Sequence, residues 1–243
     1  MIIAIDGPAG SGKSTVARLC ARQLGWHYLD TGAMYRAVTV AALERGLALD
    51  DGEALGRLTS ECPVSFGYVE GDPLPATVAI AGQDVTAAIR TAAADANVSE
   101  VSAHAQVREA CVSQQRAIAT DRDAGNYVVE GRDIGTVVFP QAEFKFFVTA
   151  SPEERARRRS AQNAERGLPG DYQQILDAIR ARDAYDSTRA VAPLRAADDA
   201  VVIDTTELSI QDVCARIVDA VQRSGAAADA AGAPLGSAGG AGA

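Results

Sequence analysis

Gly7-Pro8-Ala9-Gly10-Ser11-Gly12-Lys13-Ser14, with Thr15 following, places three glycines, a lysine and a hydroxyl in the spacing G-x-x-x-x-G-K-[ST]. Glycines let a backbone turn through positive φ, so that successive N–H groups converge on anionic oxygens without Cβ clashes. A helix starting near Lys13 adds the positive end of its dipole at the same point. In such a phosphate-binding loop Lys13 reaches the β- and γ-phosphates of a nucleoside triphosphate, and the Ser14 hydroxyl holds Mg²⁺. The apolar run Ile2–Ile5 before the octet and the amphipathic positions Val16, Leu19, Cys20 and Leu24 after it supply the strand–loop–helix context that separates this motif from an ordinary glycine turn.

Further candidates are arginines. Arg182, Asp186 and Arg189 stand at i, i+4 and i+7, which puts them on one face of a continuous helix. A solvated ion-pair row is the common meaning of that spacing. Arg155, Arg157, Arg158 and Arg159 add like charges at helical spacing, which repel unless an anion sits among them. Two such clusters in a chain with a phosphate loop favour phosphate binding, because arginine forks grip phosphate bidentately. Glu130-Gly131-Arg132-Asp133 follows the strand-like Asn126–Val129. An acid at such a strand end assists Mg²⁺, directly or through water, and spacing does not choose between Glu130 and Asp133.

The elements that must carry these groups alternate. Strands are predicted at Met1–Ile5, Trp26–Asp30, Asn126–Val129, Phe144–Thr149 and Ala200–Asp204. Helices are predicted after the loop to near Gly25, from a Thr31 cap through Glu44, over 50–60, over 92–120, from a Ser151 cap with Pro152 at its first position, and from Tyr172 to about Asp186. That order implies an α/β fold, a doubly wound five-stranded parallel sheet with ligands beyond the strands' carboxyl ends. Residues 63–90 differ in texture: Val64–Val69, Thr77–Ile80 and Gln83–Val85 read as short strands joined by turns, with Gly71-Asp72-Pro73 between the first two, and together as a small β insert. Residues 223–243, rich in Ala, Gly and Ser, read as a disordered tail.

Composition sets bounds on partners. A net charge of −9 counts against non-specific nucleic-acid binding. Only Lys13 and Lys145 are lysines among 23 basic residues, so arginine dominates the cations. Four scattered cysteines, Cys20, Cys62, Cys111 and Cys214, fit reduced thiols in a cytoplasmic protein rather than a metal site or disulfide framework. No apolar stretch is long enough for a membrane span, and no leader is expected.

Taken together and in order, Gly7–Thr15, Leu29–Arg36, Glu130–Pro140 and Arg189–Leu194 closely resemble the bacterial cytidylate kinases, over about residues 1–222. The resemblance implies transfer of the γ-phosphoryl of ATP to CMP or dCMP with Mg²⁺. The fold it implies is a core sheet, an acceptor subdomain over about 30–120 that includes the insert 63–90, and a helical lid over about 155–170. By the same resemblance Arg36, Arg132 and Arg189 clamp the acceptor phosphate, while Ser99, Arg108 and Asp133 read the cytosine. Arg182 and Asp186 touch the ribose, Thr31 and Tyr35 belong to the acceptor site, and Arg158 bridges the phosphate chains with Arg155 and Arg159 beside it. Lys13, Arg132, Arg158 and Arg189 are then the catalytic set. Two departures stand out: Thr31 where many relatives have serine, and Glu130 where some have aspartate. A monomer is expected. The competing readings are a kinase for UMP or shikimate, a GTP-type switch, which would need an N-K-x-D element the sequence lacks, and a protein-docking role for the insert.

Overall fold

The apolar run Ile2–Asp6 forms β1, the central strand, and the computed structural model describes residues 1–120, 125–165, 167 and 170–232 around it. From the phosphate loop the chain enters α1 (Lys13–Leu24), returns as β2 (His27–Asp30), then builds α2 (Thr31–Glu44) and α3 (Gly52–Glu61). An antiparallel sheet of β3 (Val64–Tyr68), β4 (Pro75–Ile80) and β5 (Gln83–Asp84) follows, and a short 3-10 turn at Ala88–Arg90 leads to α4 (Ala92–Val101) and α5 (Ala105–Thr120). The core resumes with β6 (Tyr127–Gly131), a π-helical turn (Ile134–Val138), β7 (Phe144–Thr149), α6 (Pro152–Glu165), α7 (Tyr172–Thr188), β8 (Val201–Asp204) and α8 (Ile210–Gly232).

The main sheet has the order β2-β6-β1-β7-β8, and each pairing is parallel. Strand alternation explains why helices cover both faces. Ala4, Leu29 and Val129 pack with α2, α3 and α5, whereas Ile3, Ile5, Tyr28 and Val128 pack with α1 and α8. On the second face the buried thiols of Cys20 and Cys214 meet, with 3.2 Å between their sulfurs. The chain leaves β1 toward β2 at one edge and leaves its neighbour β7 toward β8 at the other, and this divergence opens a crevice at their carboxyl ends, where the phosphate loop sits.

The insert closes one edge of this sheet. His27 N–H donates to Asn126 on the β6 side, which turns the N–H and C=O of Tyr28 outward. The outward N–H donates to Pro73 O (3.1 Å), and the outward carbonyl accepts from the Tyr68 hydroxyl (3.2 Å). His27 also packs edge-on against the Tyr68 ring.

The fold class agrees with the sequence reading, and three local readings need correction. Asp30, not Thr31, caps α2: its carboxylate accepts from Ala33 N–H, because an extended residue one position earlier aims its side chain at that donor. Residues 92–120 form two helices, broken at Ser102–His104 where the His104 ring Nε2 lies 2.8 Å from Leu49 O and a tertiary contact overrides local propensity. The last helix runs to Gly232, into the span assigned to the tail, since alanine is the strongest helix former. Residues 233–243 of that tail lie outside the described residues, as do residues 166, 168 and 169 of the expected lid.

Candidate active site

The loop geometry begins with glycine. Gly7 (φ 152°) packs so tightly that a Cβ there would lie 2.0 Å from the Val148 carbonyl oxygen, and Gly12 (φ 88°) opens α1 from the left-handed region without a side-chain cap. The first N–H groups of α1 are therefore left for a ligand. Lys13 is buried against the loop, its ammonium 3.3 Å from Pro8 O. Burial, with help from the nearby Arg132 cation, lowers Lys13 to about 7, against the pull of Glu130 and Asp30. An arriving polyphosphate would favour its charged form.

Ser14 Oγ donates to Glu130 Oε2 (2.8 Å), and the buried Tyr28 hydroxyl donates to Glu130 Oε1 (2.5 Å). Burial, reinforced by the Asp30 carboxylate, holds Glu130 above the ordinary carboxylate range. Burial also raises Asp30, but Arg36 and Arg90 together with the Ala33 N–H bring it below its usual value. Of the two acids at the end of β6, Glu130 thus touches Ser14, whereas Asp133 turns away to an ion pair with Arg108.

That pair is nearly sealed, each side chain 5% exposed. Arg108 also donates to Ser102 O (3.3 Å) and lies 5.5 Å from the Tyr35 ring centroid. Ser99 is half-buried on α4, its carbonyl bonded by the Ser102 hydroxyl (3.1 Å), which places it one step from Arg108. Thr31 is buried and donates to Glu130 O (2.7 Å).

The other arginines gather beside this pair with donors in excess. Arg36 bonds Asp30 (3.1 Å), and Arg132 Nε bonds Asp186 Oδ2 (3.3 Å), with Arg182 Nε 4.0 Å from that same oxygen. Arg189 Nε donates to the carbonyl of Ala192, a non-glycine residue held at φ 49° in the turn after α7. Buried Arg36 Nε, Arg182 Nε and Arg189 Nη2 have no hydrogen-bond acceptor among the described residues. Burial and then the positive field of a neighbouring arginine lower Arg182 (Arg132) and Arg189 (Arg108) below their usual values. Guanidinium donors without a hydrogen-bond acceptor, in mutual repulsion, are what an incoming phosphate relieves.

The arginines of α6 sit differently. Arg155 is buried and forked onto Asp183 (3.0 and 2.5 Å), with further bonds to Ala9 O and Ala150 O. Arg158 lies on Glu154, Ser11 O (3.3 Å) and Thr205, directly behind Gly12. Arg159 reaches across to Asp95 on α4 (3.1 Å), and Arg157 pairs with Glu154. Asp183, Glu154 and Asp95 offset the like charges of this helix. The expected Ser151 cap is present, its hydroxyl accepting from Glu154 N–H (3.2 Å).

Three residues that the sequence did not single out belong to this site. Tyr28 holds Glu130, and Thr205 at the end of β8 donates to Ser11 O (3.0 Å). Asp6, at the end of β1, accepts from the backbone N–H groups of Ile134 and Gly135 (both 2.8 Å). Burial pushes Asp6 up to about 7, against the pull of those two N–H groups. The sequence signal for Asp6 was its place at the end of a buried strand, just before the phosphate loop.

Comparison of the sequence with known proteins matches it to a family. A family model described as cytidylate kinase covers residues 3–223. The chain is 50% identical over 220 residues to the cytidylate kinase of Shouchella clausii (strain KSM-K16), spanning 90% of this chain and 95% of that protein. It is 50% identical over 226 residues to that of Rhodococcus opacus (strain B4), spanning 93% and 96%. The cytidylate kinase of Exiguobacterium sibiricum is similar at 50% over 217 residues, spanning 89% and 95%.

Proposed function

The chain belongs to the cytidylate kinase family, and from that premise we propose that its buried arginine cluster receives the phosphate of CMP or dCMP while residues 7–15 hold ATP. The enzyme transfers the γ-phosphoryl group of ATP to that acceptor, giving ADP and CDP or dCDP. An acceptor α-phosphate oxygen attacks the γ-phosphorus, and the bond from that phosphorus to the ADP oxygen breaks. The acceptor oxygen is already ionised near neutral pH, so no side chain need remove a proton. Positioning and charge stabilisation carry the catalysis.

The observation that carries the site assignment is the set of orphaned donors on Arg36, Arg182 and Arg189. Arg36, Arg132 and Arg189 clamp the acceptor phosphate, with Thr31 and Tyr35 beside them. Arg182 and Asp186 meet the ribose, and the Arg108–Asp133 pair with Ser99 meets the cytosine. Lys13 and Arg158 serve the donor phosphates, and Arg155 anchors the lid helix to the loop. Residues 30–120 act as the acceptor subdomain and 155–170 as the lid.

The residues near Ser14 fit Mg²⁺. Among the described residues no group of three or more His, Cys, Asp or Glu side chains could cage a metal. A lone hydroxyl that donates its hydrogen bond to Glu130 keeps its oxygen lone pairs free as a hard ligand, which suits an ion that keeps its waters and the substrate phosphates as its other ligands. Bound there, Mg²⁺ would neutralise developing charge on the β- and γ-oxygens. Ser14 would hold it, and Glu130 would orient Ser14.

We also read the protein as a cytoplasmic monomer. The buried, free thiols support the compartment, and no helix among the described residues is long and apolar enough to cross a membrane. Gel filtration checks the assembly. The test of the function is an acceptor panel of CMP, dCMP, UMP and shikimate, with ATP and Mg²⁺. CDP and dCDP formation at rates well above the other two is expected. Failure to make CDP would overturn the assignment.

A further inference from the structure

The strand ladder between β1 and β6 ends at the Asp6–Gly131 pair. Arg132 and Asp133, the residues assigned to the acceptor, lie just beyond it and must be held by other means. Asp133 precedes the π-helical turn at Ile134–Val138 but does not cap it, because its carboxylate is committed to Arg108. The capping comes from 128 residues away in sequence: Asp6 Oδ1 accepts from Ile134 N–H, and 129 residues away Oδ2 accepts from Gly135 N–H, each at 2.8 Å. Asp6 is 5% exposed and its next neighbour is Gly7, the first residue of the phosphate loop.

We propose that Asp6 is a positioning residue that fixes the Arg132–Asp133 segment to the root of the phosphate loop, so that the acceptor is registered against the donor. The proposal rests on the acceptor-site assignment above. Two oxygens on one carboxylate match two consecutive N–H groups, and no isosteric side chain does the same. An amide has one acceptor oxygen, and its NH₂ would face the second N–H donor to donor. The Asp6 side chain makes its bonds to the acceptor segment, whereas its backbone belongs to the β1 ladder. Its loss therefore acts on the acceptor while leaving ATP in place.

The test is Asp6→Asn, assayed at pH 8. KM for CMP should rise about tenfold and kcat should fall, while KM for ATP stays within about twofold. Equal changes for both substrates, or no change for CMP, would overturn the proposal. Arg132→Ala separates its failure from that of the assignment beneath it. If Arg132→Ala leaves KM for CMP unchanged, the acceptor-site assignment fails, and the proposal with it. If Arg132→Ala raises it and Asp6→Asn does not, the proposal alone fails. Should Asp6→Asn not fold, amide hydrogen exchange on the wild-type protein decides: Ile134 and Gly135 must exchange as slowly as the β1 ladder amides, and exchange at the rate of exposed loops overturns it.

Discussion

The Arg108–Asp133 pair invites a quantitative test because both side chains are only 5% exposed. Asp133→Asn keeps the shape but removes the charge that compensates Arg108. Leaving a buried charge without its partner costs about 3–5 kcal/mol. Arg108 keeps the Ser102 carbonyl and the face of the Tyr35 ring, which argues for the lower figure. For a domain of this size each kcal/mol moves Tm by about 2–4 °C, so about 3 kcal/mol becomes a fall of roughly 6–12 °C. Thermal unfolding without nucleotide, paired with urea titration, reads it directly. A second arm replaces both partners, Arg108→Met with Asp133→Leu, and should recover most of the lost stability because no unpaired charge remains. Neither variant should gain stability from CMP as the wild type does through ligand linkage. A fall below about 2 °C for the single variant would refute the reasoning, since a loss that small belongs to a solvated surface pair.

Other outcomes follow from the same site. Lys13→Ala should fold normally yet lose at least about a hundredfold in kcat, from lost charge stabilisation in the transition state; near-normal turnover would remove Lys13 from the mechanism. Asp186→Ala frees Arg132 and Arg182 together, so KM for CMP should rise while that for ATP changes little, and equal losses would contradict the ribose assignment. Glu130→Gln should raise the Mg²⁺ concentration for half-maximal activity by about tenfold or more, as loss of an orienting partner does, and an unchanged Mg²⁺ titration would sever Glu130 from the metal. All four thiols are buried, and burial pushes Cys111 up to about 12 and raises Cys20 and Cys214, so a thiol reagent at pH 8 should label the native protein very slowly and all four cysteines after denaturation. Rapid native labelling would show the thiols to be accessible.

What was legible in the sequence follows the range of the interactions. The phosphate loop lies in consecutive residues, and its glycines, lysine and serine state their geometry locally. The alternating strands of the main sheet were legible for the same reason. Composition could not show that arginines of α6 would meet Asp183 and Asp95, because those acids come from other helices. The assembly of Arg36, Arg108, Arg132 and Arg189 into one site came from resemblance alone, since four separate elements deliver them. Glu130 and Asp133 could not be told apart by spacing: Glu130, still within β6, faces Ser14, whereas Asp133, beyond the strand, meets Arg108. Asp6 and Tyr28 escaped notice because both act on partners more than a hundred residues away.

The hairpin between α3 and α4 invites trimming in any effort to make a smaller kinase, since none of the proposed substrate contacts arises from it. Yet Pro73 and Tyr68 occupy the outward N–H and C=O of Tyr28. Cutting the hairpin away would leave a sheet margin with unanswered polar groups, a template onto which a second molecule could zip. It would also loosen the tyrosine that steadies Glu130. A shortened version is therefore expected to aggregate and to bind metal less well, two defects with a single origin in the chain's dispensable-looking excursion.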